Sequence, residues 1–65
     1  MNNWLRVVIV DNVVAVYPAS QVEAAEREAA RLRGEGRRVF ETRMSASELA
    51  MLAVDDPGVT VEYRS

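Results

Sequence analysis

"VVIVDNVVAVY", residues 7–17, sets two runs of mostly β-branched residues around Asp11 and Asn12. Such runs, separated by two turn-forming residues, predict a β-hairpin. A two-residue type I′ turn needs positive φ at both central positions, which Asp and Asn tolerate better than most residues. The register this implies puts Val10 opposite Val13, Val8 opposite Ala15 and Arg6 opposite Tyr17. Leu5, Val7, Ile9, Val14 and Val16 then share one face, wholly aliphatic. The other face carries Trp4, Arg6, Val8, Val10, Val13, Ala15 and Tyr17. A hairpin with one wet face would alternate apolar and polar residues. This one hardly does, so something must cover its second face.

Working outward, Pro18 ends the second strand, and Ser20 with Glu23 has the spacing of a capping box. Val22, Ala25, Ala29 and Leu32 then recur at helical spacing as a narrow apolar stripe. Glu23 and Arg27 are placed to attract at i,i+4, and Gly34 is the expected C′ residue of this helix. "RRVFETRM", 37–44, is a short β-favouring run whose Phe40, Thr42 and Met44 form the better core set. Ser45 and Glu48 repeat the capping box. Leu49, Leu52 and Ala53 give a second, short helix its buried edge, ending near Ala53 or Val54. "DPGV", 56–59, is a turn, and "VTVEYR" closes the chain with Val59, Val61 and Tyr63 inward.

The order β-β-α-β-α-β predicts one small α/β domain over residues 1–65, of two-layer α+β type. Right-handed crossovers running in one direction put both helices on the same face of a four-stranded mixed sheet. The strand order expected is 2-1-3-4, with 1-2-3-4 as the alternative. On that arrangement the helices cover Leu5, Val7, Ile9, Val14, Val16, Phe40, Val59 and Val61. Nothing in the chain is left for the opposite face.

Composition narrows the function. At 65 residues, folding buries only about 60% of the extended chain's surface, so the core is marginal unless well packed or shared. Cysteine and histidine are absent, which excludes disulfides, thiolate zinc sites and an imidazole base. Net charge is −2 and the pI about 5.0, against non-specific binding to nucleic acid or anionic membrane. "MNNW" lacks the basic region of a signal peptide, and Asp11 breaks the only long apolar run. The expected compartment is the cytoplasm. All eight basic residues are arginine, as a high-GC bacterial or phage genome would encode.

No catalytic, metal or cofactor site is expected. "RLRGEGRR" gathers Arg31, Arg33, Arg37 and Arg38, yet its "GEG" follows a helix instead of opening one and lacks the lysine and hydroxyl of a phosphate loop. Asp55 and Asp56 supply too few oxygens for calcium and fit a turn better. Ser20, Ser45 and Ser47 have no base to activate them. The expectation is a non-enzymatic protein that pairs with a second copy, or docks on another protein, through an open apolar sheet face. Its residues would be Trp4, Arg6, Val8, Val10, Val13, Ala15, Tyr17 and Val39. The alternative is an arginine-mediated nucleic-acid binder.

Overall fold

A computed structural model describes residues 4–64. β1 (Leu5–Val10) and β2 (Val13–Tyr17) form the hairpin in the expected register, with Val10 facing Val13, Val8 facing Ala15 and Arg6 facing Tyr17. Only Asp11, at φ 54°, takes a positive φ at the turn. The type I′ turn, which needs positive φ at both central positions, is therefore not the one formed. Arg37 forms an ion pair with the Asp11 carboxylate and so ties the hairpin tip to the segment ahead of β3.

A 3₁₀ turn (Ala19–Gln21) leads into α1 (Val22–Gly34), followed by β3 (Val39–Met44), α2 (Ala46–Asp55) and β4 (Thr60–Tyr63). The strand order is β3-β1-β2-β4, neither of the orders expected. β3 lies antiparallel on the far side of β1, and β4 lies parallel to β2. The β2-α1-β3 crossover therefore runs one way across the sheet, and β3-α2-β4 runs back the other way. Crossovers of one hand running in opposite directions place their helices on opposite faces. That is where they lie: the helices do not share one face, and the protein has three layers.

Two separate cores follow. On one side, Ala25, Ala29 and Leu32 of α1 pack on Val8, Val10, Ala15 and Tyr17, with Val39 alongside. On the other, Leu49 of α2 packs on Val7, Val14 and Val16, with Leu5, Ile9, Met44, Leu52, Val59 and Val61 around it. The question posed by the hairpin is thus answered within the chain. Its strands are apolar on both faces because each face carries a helix, the pattern of strands buried on both sides.

The helix ends differ from expectation at α1; at α2 the start agrees, and the helix runs on to Asp55, past the expected Ala53 or Val54. Ser20 lies in the 3₁₀ turn, and the N-cap of α1 is Gln21, without a side-chain cap. Gly34 is still helical. Gly36, at φ 82°, is the C′ residue: its N–H donates to Arg33 O, and that of Arg37 donates to Leu32 O. Those two bonds make a Schellman motif. At α2 the capping box forms as read, Glu48 N–H donating to Ser45 Oγ at 3.1 Å and Ser45 N–H to Glu48 Oε1 at 2.9 Å.

Candidate interaction surface

The face expected to be open is closed. Val8, Val10, Ala15 and Tyr17 are buried beneath α1, and Val13 and Val39 are half-buried at its margins. Trp4 remains 39% exposed, its ring beneath the Arg43 guanidinium at 5.6 Å. Arg6 is half-buried, 3.8 Å from Glu41. The eight residues therefore do not form one accessible patch: four are core, and Trp4 and Arg6 belong to a polar rim. What overturns the expectation is the 3-1-2-4 order, which frees α1 to cover this side.

The rims of the α1 side are charged. Glu41 and Arg43 flank it on β3, Glu62 on β4. Along α1 the outward residues include Glu23, Glu26, Arg27, Arg31 and Arg33, all exposed. Arg31 pairs with Glu28 and with Glu35 (2.7 Å), and Arg33 pairs with Glu41 (3.0 Å). The bond from Arg31 holds the Glu28 carboxyl below its ordinary pKa, and Glu28 raises that of Arg31 in turn. Among the described residues, Glu23 and Arg27 make no ion pair. A cleft beside α1 is lined by the apolar Val10, Val13 and Leu32 and by the charged Glu28, Arg31 and Arg64. Arg64 is turned to Glu62 at 2.8 Å, and its pKa is raised first by the Tyr17 hydroxyl and then by Glu62. These charges already answer one another. Of the four arginines in "RLRGEGRR", Arg31, Arg33 and Arg37 are each matched to a carboxylate, and Arg38 forms no ion pair among the described residues.

The other side of the sheet is built differently. α2 leaves β3 after Met44, which pairs with Leu5, and the chain re-enters the sheet at Thr60, which pairs with Val13. The helix therefore crosses the sheet along one diagonal. Ten residues make about 15 Å of helix on that one diagonal, which leaves the two remaining corners of the sheet outside its path. The corners on the other diagonal hold Phe40, paired with Ile9, and Tyr63, paired with Val16. Both side chains point to the α2 side, and both are exposed, at 61% and 73%. They were expected in the core; their face is as expected, but no helix reaches them.

α2 itself is apolar on more than its buried edge. Leu49 and Leu52 face the sheet, and Ser47, Ala50, Met51 and Val54 are exposed. Positions 47, 50, 51 and 54 follow i, i+3, i+4, i+7, so they share the outward face of the helix. That face opens on a small hydroxyl at Ser47 and continues as three apolar residues. Met51 is 64% and Val54 79% exposed. Glu48, Asp55 and Asp56 border the stripe, Asp56 capping the helix with its N–H on Leu52 O. The signal for this surface was in "ASELAMLAV", where the apolar positions outnumber what one buried edge requires.

Among the described residues no three Asp or Glu side chains gather as a metal site, and no helix is long and apolar enough to cross a membrane. Comparison with family models, curated proteins and solved structures returned no match to this chain.

Proposed function

We propose that this protein is a non-enzymatic interaction domain whose contact surface is the α2 side. The observation that carries the reading is the outward stripe of Ala50, Met51 and Val54, flanked by exposed Phe40 and Tyr63 at two sheet corners. Single exposed apolar residues are ordinary on any monomer; several gathered on one side mark a docking surface. The occupant that fits is an apolar helix of another protein. Ser47 and Ala50 are small enough to let a second backbone approach closely, and Met51 supplies an adaptable contact. Glu48, Asp55 and Asp56 along the border favour basic residues flanking that helix.

The reading is tested with three immobilised baits: the native chain, a Met51→Glu, Val54→Lys double variant, and an Ala30→Glu variant on the outer face of α1. Both altered helix faces are exposed, so folding should survive in all three. The expected result is a set of cellular proteins retained by the native chain and by Ala30→Glu, and lost with the double variant. Equal retention by the double variant would remove the α2 side as the contact surface.

A further inference from the structure

We infer that a second copy of this chain pairs along the outer edge of β3, joining two four-stranded sheets into one continuous sheet. This goes beyond the α2 surface and does not depend on it.

The direction of each backbone group can be followed across the sheet. Thr60 N–H donates to Asn12 O and Arg64 N–H to Val16 O, both at 2.7 Å, so the even residues of β2 turn toward β4. Alternation then turns Val13, Ala15 and Tyr17 toward β1, and their partners Val10, Val8 and Arg6 toward β2. Leu5, Val7 and Ile9 are left to bond β3 through Met44, Thr42 and Phe40. The N–H and C=O groups of Val39, Glu41 and Arg43 therefore point outward. Among the described residues no strand pairs with them, since β3 is an edge of the sheet. Such a row is a template for another strand.

Symmetry and charge select the register. Two copies of β3 related by a twofold axis run antiparallel, and outward groups must meet outward groups. Centring the axis on Glu41 or on Arg43 opposes each to itself, which is unfavourable. Centring it on Phe40 leaves Arg43 and Met44 beyond the paired segment. Centring it on Thr42 opposes Glu41 to Arg43 of the second copy, twice, on the α1 side. On the α2 side it opposes Phe40 to Met44 of the second copy, also twice. The Phe40–Met44 pairs are not hydrogen-bonded, the kind in which side chains lie closest. Phe40, uncovered within its own chain, thereby gains an apolar neighbour where the second copy's α2 begins.

The opposite edge lacks this complementarity. β4 spans four residues against six in β3; axes on Val61 or Glu62 oppose Glu62 to Thr60 or to itself, and an axis on Tyr63, which opposes Glu62 to Arg64, leaves only Glu62 and Tyr63 of the strand well paired. Pairing β3 of one copy with β4 of another does not close and would propagate into fibres. The β3 edge paired with itself closes.

The test uses the Met51→Glu, Val54→Lys background, so that association through the α2 side cannot contribute and the two readings fail separately. Sedimentation over rising concentration should show a two-chain species. Adding Glu41→Arg or Arg43→Glu sets like charges against each other at both pairs. Either should weaken dimerisation at least tenfold, with the circular dichroism spectrum retained. Mixing the two variants should restore a two-chain species, because every cross-strand pair in the mixed dimer is then of opposite charge. Arg43→Glu leaves the Glu41–Arg33 pair intact and keeps the test decisive if Glu41→Arg unfolds. A single-chain mass for the parent at every concentration would overturn the inference. So would an Arg43→Glu variant that dimerises as the parent does, or folded variants that stay apart on mixing.

Discussion

α1 and α2 cover opposite faces of the same hairpin, yet one finishes its side and the other does not. α1 has 13 residues, a narrow stripe of Ala25, Ala29 and Leu32 turned inward, and charged residues over most of the rest. Its sheet face ends in Glu41, Arg43 and Glu62, so the boundary with water is polar. α2 has 10 residues, buries Leu49 fully, and turns Met51 and Val54 outward. Its sheet face ends in Phe40 and Tyr63. Equal burial at the hairpin thus coexists with unequal surfaces.

The largest effect expected from this difference is on stability. Leu32→Ala should cost about 2–4 kcal/mol, because Leu32 is buried against both strands of the hairpin and α1 cannot collapse around the gap. Met51→Ala should change stability by less than about 0.5 kcal/mol, as surface substitutions do. Denaturant melts of the pair check this. Similar costs would mean that the two sides are not closed to different degrees.

The helix ends come next. Gly36→Ala places a Cβ on a residue at φ 82° and should cost about 1–2 kcal/mol, the penalty of the left-handed region. Ser45→Ala removes the acceptor of the Glu48 N–H and should cost about 1 kcal/mol. Thermal melts read both. Gly34→Ala is the internal control, since Gly34 is helical and an added Cβ meets nothing within 4 Å. It should not destabilise.

The smallest effect concerns charge on α1. The Arg31 guanidinium lowers the Glu28 pKa in the folded state, so Glu28 binds its proton more weakly folded than unfolded. Its contribution is present above the ordinary carboxylate range and is lost as pH falls through the lowered value. Glu28→Gln should therefore lower the melting temperature slightly at neutral pH and leave it unchanged in strong acid. High salt should shrink the difference, because the pair is at the surface.

Much of this architecture could be read from the residues, for identifiable reasons. The hairpin register, the face of every strand residue and the α2 capping box follow from period-two alternation and from short-range hydrogen bonding. Strand order could not be read that way. Val8 and Val10 read the same whether α1 of this chain or another molecule covers them; the choice depended on β3 pairing with β1, a contact between segments about 35 residues apart. The Schellman glycine was misplaced by two residues because Gly34 and Gly36 both fit the local pattern, and only the backbone bonds of Gly36 and Arg37 distinguish them. The α2 surface was missed for another reason. Alternation puts Phe40 and Tyr63 on the right face, but their exposure depends on the diagonal path of one short helix.

The most direct test of the difference between the two sides uses the chain's own two tyrosines, one on each. Tyr17 is buried beneath α1 at 6% exposure, and Tyr63 stands at an uncovered corner of the α2 side at 73%. Tyrosine nitration of dilute native protein, followed by peptide mass mapping, reports both in one experiment. The account predicts rapid modification of Tyr63 while Tyr17 is spared until the protein unfolds. Modification of Tyr17 at a rate matching Tyr63 in folded protein would contradict it, because α1 would then not close its side of the sheet.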